Sequence, residues 1–417
     1  MKEILSLKLE GGRQLLAKEK AANPSNTLVF LGEDYIDFFT IMINENKAEY
    51  EKLLAARGER IKALEKGDKT SPWYNYALAE LYVHWSTNRI RFGDYFKAAT
   101  EIREAYKLLE ANIEKHPDFL PNKKTMGMLE TIVGTIPGSY QWMASIAGLE
   151  GNIDEGLKKI EAVINSKSSL NYVEQLKQEA IFVYAYLEIF VLKKPLDAWK
   201  LVEKNTTDYK TNLLNAYLRA NIAVKCKKTD IAIETLKNRP RGKDYINFYY
   251  LDYLLGLAKL FRGDNDADIY FKIYVSLHTG ENLKKSAYIR LSWFYFLKND
   301  TKNSETYRGM VSRYGAENLE DDKNAQKEAV SGKKHDEAIL KGRLYFDGGY
   351  YDKALAALNT KTADSYTNNE QKLEYKYRKA RVLHESGKTD DAIKLYTDVM
   401  ESGKDESYYY SAYSCLM

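Results

Sequence analysis

The sequence predicts an all-α fold, an α-α superhelix of about eight helical hairpins. Three observations carry that prediction. Only 7 of the 417 residues are proline and 44% are apolar, with Leu, Ala, Glu and Lys abundant, so helix formers far outnumber breakers. The stretch "GRLYFDGGYYDKAL" (342–355) sets one small residue, Gly342, twelve positions before another, Ala354, with Gly348-Gly349 between them. The same spacing then recurs along the chain. A further oddity is the 34 tyrosines, side chains that fill core volume yet keep a hydroxyl for a half-buried edge.

In chain order, residues 1–72 read as three helices, including "LVFLGEDYIDFFTIMI" (28–43), and form an N-terminal helical extension of a degenerate pair plus a capping helix. The opening "MKEILSLKLEGGRQLL" is already helical in pattern and does not read as a leader peptide. Residues 73–417 read as the repeat array. Its paired positions are Gly342/Ala354, Ala380/Ala392 and Ala144/Gly156, with looser copies at Ser86/Ala98, Tyr186/Ala198, Ala220/Ala232, Leu255/Ala267 and Ser292/Ser304, where Tyr186 and Leu255 replace the first small residue. Such a pair suits a helical hairpin. A small residue in the first helix lets the second approach closely, a left-handed residue makes the turn, and a second small residue takes the closest contact. An apolar residue follows one turn later at Ile102, Ile160, Val202, Leu236, Phe271, Leu358 and Tyr396, and the pattern fails only at Arg308. The turns fall near residues 93, 151, 193, 227, 262, 299, 349 and 387.

Two intervals are wide and mark insertions near 118–138 and 315–336. The first contains "MLETIV" and places Pro137-Gly138 at the opening of the next helix. The second, "GAENLEDDKNAQKEAVSGKKHD", lacks apolar periodicity and reads as an exposed loop or solvated helix. At the end of the chain, "ESYYYSAYSCLM" (406–417) reads as the opening helix of another unit. Either it packs its tyrosines onto the 390–401 helix, or the natural chain continues.

Four turn-to-turn intervals of 34, 35, 37 and 38 residues match the roughly 34-residue period of tetratricopeptide repeats. With the Gly342–Tyr345–Ala354 pattern, the chain resembles a tetratricopeptide-repeat (TPR) protein over about residues 73–417, although the consensus Trp and closing Pro are missing from that unit. A narrower resemblance covers about residues 80–165. "FGDYFKAATEIREAYKLLE" and "GMLETIVGTIPGSYQWMASIAGLEGNIDEGL" are similar to the tetratricopeptide repeat protein 39 family and the fungal inclusion-body clearance protein. These resemblances imply a helical-repeat fold and an interaction role, and they bring no ligand-binding residue with them.

Chemistry-bearing patterns are sparse. A formal charge of +4, from 63 basic and 59 acidic residues, leaves no footprint for nucleic acid or an anionic membrane. Cys226 and Cys415 stand far apart without a CxxC, against both a disulfide framework and a zinc site. The histidines His84, His116, His278, His335 and His384 are scattered, so no metal site is expected. "HESGKT" (384–389) lies at a helix end with Val382 where a phosphate loop needs glycine. Asp321-Asp322 reads as a solvated turn. "IFVYAYLEIFVL" (181–192) is too short to span a bilayer, and the aromatic run at 245–261 covers every face of a helix, as a sandwiched core helix does. No catalytic residue, cofactor or metal is expected.

The expected function is that of a non-catalytic interaction scaffold whose first helices line a concave groove. Inward positions toward the C-terminus are Trp293, Phe296, Ile339, Arg343, Phe346, Tyr377, Arg381 and His384. Two arginines among aromatics suit carboxylates, so a protein or peptide partner of acidic character is expected, and no unit has the Lys-Asn pair of the chaperone-tail clamp. One alternative is an accessory subunit of an enzyme or of an envelope or transport complex. Another is a nucleic-acid-binding repeat protein, against which stand Glu188, Asp252 and Glu374 in the first helices. The chain as written suggests the cytoplasm; removal of a leader would place it in a bacterial periplasm or envelope.

Overall fold

The computed structural model describes residues 1–136 and 148–417, so Ala144, Ala147 and the helix start expected at Pro137-Gly138 lie outside the described residues. Those residues are all-α: 22 helices packed in neighbouring pairs, with no strand among them. They divide into two compact units, 1–226 with 235–248, and 227–234 with 249–417.

The first unit opens with Lys2–Leu5 (α1), Leu9–Ala22 (α2), Leu28–Asn44 (α3) and Lys47–Leu64 (α4). That is four helices where the sequence suggested three. Pro72–Arg91 (α5) pairs with Tyr95–Lys115 (α6), and α3 packs on α5, so the extension shares a core with the first repeats. Next come Leu120–Gly134 (α7), Ile153–Ile164 (α8), Val173–Tyr186 (α9), Pro195–Asn205 (α10) and Leu213–Lys225 (α11). Side-chain oxygens of Asn46, Ser71, Asn152 and Asn212 cap the starts of α4, α5, α8 and α11.

Within the segment around 118–138, residues 120–134 form α7. Helix α7 is the direct partner of α8, and the two cross glycine on glycine. A Cβ on Gly127 would stand 2.5 Å from the Gly156 carbonyl oxygen. Gly156 thus takes the close contact its register position predicts, here with Gly127; its expected pair Ala144 lies outside the described residues.

One register position needs correction. Tyr186, expected at the first contact position of its hairpin, is 43% exposed, whereas Ala185 is fully buried. The cause is a π-helical turn at Leu187–Val191. It adds one residue to the helix, so the contact falls thirteen rather than twelve positions before Ala198.

Thr229–Lys237 (α12) contains the boundary between the units. The second unit continues with Tyr250–Arg262 (α13), Ala267–Leu277 (α14), Lys284–Leu297 (α15), Thr301–Val311 (α16), Glu320–Val330 (α17), Glu337–Asp347 (α18), Tyr351–Leu358 (α19), Asn369–Glu385 (α20), Thr389–Ser402 (α21) and Tyr409–Leu416 (α22). Helices α13 and α14, α15 and α16, α18 and α19, and α20 and α21 form hairpins. The expected small positions Ala267, Ser304, Ala354 and Ala392 are buried in them. The serine pair is also bonded: Ser304 Oγ donates to the Ser292 carbonyl at 2.9 Å.

The hairpins of this unit do not simply follow one another. Helix α18 packs on α13, and its Leu340 and Leu344 join the apolar cluster of Tyr253, Leu260 and Trp293. Between these hairpins α17 packs on α15 and α16, burying Asp322 and Ala325 while Lys323, Asn324 and Lys327 face solvent. The segment read as an exposed loop or solvated helix is therefore a half-buried one. Its outer face is polar, as in a helix that ends a stack. Arg308, the exception in the repeat pattern, holds this helix: its guanidinium donates to the carbonyls of Glu328, Ala329 and Lys333 at 3.0, 3.1 and 2.9 Å. Asp322 in turn accepts from the Leu283 and Ser286 backbone N–H groups at the start of α15, and burial pushes its carboxyl up to about 6. The terminal helix α22 buries Tyr410 against α20 and α21, the packing expected for the tyrosine-rich end.

Seven of the eight expected turns carry a left-handed residue at or next to the predicted position, and the one near 151 does not. Gly93, Lys193, Lys227, Gly263, Asn299, Gly349 and Gly387 all have positive φ, between 57° and 86°. Gly349 answers the double-glycine stretch: it makes the left-handed turn of the hairpin. A Cβ on Gly387 would meet no atom within 4 Å, so Gly387→Ala isolates backbone strain and should cost ~1–2 kcal/mol. Lys193→Gly should act in the opposite sense, gaining ~0.5–1 kcal/mol. Urea titration of both variants checks the pair; equal midpoints would contradict the left-handed turns.

Candidate partner-binding face

In the second unit α18 packs on α20, and the residues expected in the groove gather into two clusters. The first surrounds Trp293, which is only 4% exposed. Its ring N–H donates to Glu328 Oε1 at 2.6 Å. His335 Nε2 lies 3.1 Å from the same oxygen, and Phe296 packs near the His335 ring at 5.8 Å. Arg343 lies over the Trp293 ring at 4.7 Å, with Glu328 Oε2 at 3.8 Å and Asp347 Oδ2 at 3.9 Å. Burial alone would raise the Glu328 carboxyl; His335, Arg343 and the Trp293 N–H together hold it below its usual range.

The second cluster surrounds Phe346, also 4% exposed. The Lys227 ammonium lies 3.9 Å and the Arg381 guanidinium 4.3 Å from its ring centre. Arg381 also lies 5.9 Å from the Tyr377 ring, and His384 meets the Tyr396 ring edge-on at 6.1 Å. Lys227 pairs with Glu385 at 3.2 Å, and the Tyr351 hydroxyl donates to the same carboxylate at 3.2 Å. Burial is the main pull lowering the Lys227 ammonium; Glu385 opposes it and Arg381 adds to it.

The expected site is thus altered in two ways. Trp293, Phe346, Tyr377 and Ile339 are core residues, forming the floor rather than the reach of the face. Arg343 is not an open seat, because α17 delivers Glu328 to it. Sequence spacing placed Phe296, Arg343, Arg381 and His384 on the first helices but could not bring α17 there. Lys227, Glu328 and His335 were missed, Lys227 because a turn residue of a distant hairpin carries no local signal. Tyr396 was legible only as an apolar position, without its hydroxyl.

The first unit holds a polar cluster that spacing did not reveal. Lys124 of α7 bonds Glu80 of α5 at 2.6 Å and Glu179 of α9 at 2.5 Å. The Tyr35 hydroxyl of α3 lies 2.9 Å from Glu80 and 2.7 Å from Glu179, and Thr125 donates to Glu80. Beside it His84 and Trp85 both bond the buried Asp34, each at 2.8 Å. Glu80 and Lys124 are 2% and 4% exposed. None of these side chains is among the buried polar groups without a hydrogen-bond partner, which suits a clasp between four helices.

No helix among the described residues is long and apolar enough to cross a membrane. No protein-family model matches the chain, and neither does any curated protein.

Proposed function

We propose that the chain is a non-catalytic interaction scaffold of the tetratricopeptide-repeat type, which takes an acidic protein or peptide partner on the inner face of α18 and α20. The repeat register and its left-handed turns support the type, and the quoted resemblances over 73–417 and 80–165 accord with it. The observation that carries the partner assignment is the pair of cations, Lys227 and Arg381, held against one buried aromatic ring. Ordering two cations over such a floor favours an anionic surface through charge and directed N–H donors. The test is affinity purification of the full chain from its native cells, followed by mass spectrometry, with Arg381→Glu as the comparison. A specific partner held by the wild type should fall by well over tenfold in the variant, since hydrogen bonds to charged groups contribute ~1.5–3 kcal/mol each and reversal adds repulsion. Equal recovery from both would exclude this face.

A further inference from the structure

Arg343 and Arg381 occupy equivalent places in successive hairpins, each directly after the small residue of its first helix, Gly342 and Ala380. Each guanidinium lies over an aromatic ring, 4.7 Å from Trp293 and 4.3 Å from Phe346. They differ in what completes them. Arg343 has Glu328 and Asp347 within 4 Å, and Glu328 also takes the Trp293 N–H and His335. Around Arg381, among the described residues, three buried polar atoms have no hydrogen-bond partner: its own Nε, His384 Nδ1 and the Tyr396 hydroxyl. Tyr396 is 6% exposed. The neighbouring carboxylate, Glu385, is engaged by Lys227 and Tyr351. A buried hydroxyl without a partner is costly, and a charged acceptor beside a guanidinium would satisfy both.

The geometry points to a carboxylate seat formed by Arg381, His384 and Tyr396, taking one Asp or Glu side chain of a partner as Arg343, Trp293 and His335 take Glu328. This rests on reading α18 and α20 as the partner face and specifies its chemistry. The internal pair shows which group the arrangement accepts. Glu328 fills the Arg343 position from within the chain, whereas no carboxylate among the described residues fills the Arg381 position. The internal occupant is a glutamate side chain, so an Asp or Glu side chain fits, rather than a terminal carboxylate or a phosphate.

The experiment uses the full-length chain and a fluorescein-labelled hexaglutamate with a blocked C-terminus, at low ionic strength. Hexaglutamine, a neutral peptide with a free C-terminus, and inorganic phosphate as competitor are the comparison probes. Hexaglutamate should bind and hexaglutamine should not. Arg381→Met should weaken binding at least tenfold, whereas Arg343→Met should leave it within about twofold. Tyr396→Phe should weaken binding several-fold without lowering the melting temperature of the free protein, because its hydroxyl has no bond to lose.

Failure of hexaglutamate to bind, or equal binding to Arg381→Met, overturns the seat. So does tighter binding of the free C-terminus, or full displacement by phosphate. An equal loss in Arg343→Met overturns it in favour of an open two-arginine groove. In each of these cases, continued loss of the native partner from Arg381→Glu would leave the scaffold reading standing, so the two failures are distinguishable.

Discussion

Replacing Lys124 by methionine should destabilise the protein by ~3–5 kcal/mol, the cost of leaving a buried ionic group uncompensated. The ammonium is the positive member of a cluster in which Glu80 and Glu179 both accept from it, at 2.6 and 2.5 Å. Burial by itself would raise the Glu80 carboxyl, but Lys124, with His84 behind it, holds it below its ordinary value of 4.5. A carboxyl lowered by folding contributes stability that is present above 4.5 and lost as pH falls through the folded value. Lys124, raised well above 10.5, contributes stability that persists up to that pH and is lost as pH rises through its own folded value. Between 4.5 and 10.5 the contributions of Glu80 and Lys124 should therefore be constant.

In Lys124→Met the sign reverses for Glu80. Burial then acts without its counterion and pushes the carboxyl up, so the penalty is present at neutral pH and relieved as pH falls. Urea unfolding at pH 7 and pH 5 reads this directly: the deficit of the variant should shrink at the lower pH. Adding Glu80→Gln and Glu179→Gln should recover much of the loss, because neutral groups replace unpaired charges. A deficit that is the same at both pH values would mean that lost packing of the lysine stem, not charge, is responsible.

Gly127→Ala and Gly156→Ala should each cost ~1–3 kcal/mol or more, despite the ~1 kcal/mol by which alanine ordinarily favours a helix interior. The new methyl would meet the opposing backbone at 2.5 Å in either direction, and backbone cannot rotate aside as a side chain can. Gly58→Ala is the control. It lies in α4 with no atom within 4 Å of the added carbon, so propensity acts alone and should stabilise by ~1 kcal/mol. Thermal melts of the three variants should move in opposite directions. A stabilising Gly156→Ala would show that α7 and α8 are not crossed at these glycines.

How far each feature was legible follows from the range over which its cause acts. The spacing from Ser292 to Ser304, or from Ala380 to Ala392, is set within one hairpin. Close approach, turn and second contact all lie inside about fifteen residues, and the left-handed residues at 299 and 387 fall between them. The same local rule failed at Tyr186, because a π-helical turn changes the residue count without any mark in composition. Gly127 stood in plain sight as a small residue, but its partner Gly156 lies beyond residues 135–152, outside the reach of a twelve-residue spacing.

By itself the sequence determined the all-α class, the hairpin register and nearly every turn, since these follow from backbone sterics and side-chain volume at short separation. Only the tertiary structure decided the course of the second unit. Helix α18 returns to α13 because Leu340 and Leu344 find the apolar cluster of Tyr253 and Leu260 there, while α17 has a polar outer face. It also decided the fate of two arginines that the register had made equivalent. Arg343 receives Glu328 because Arg308 and Asp322 hold α17 in place, and Arg381 receives no such carboxylate from the described residues. Charge pairing depends on which helices meet, and helices distant in sequence meet through summed apolar burial that no local spacing records.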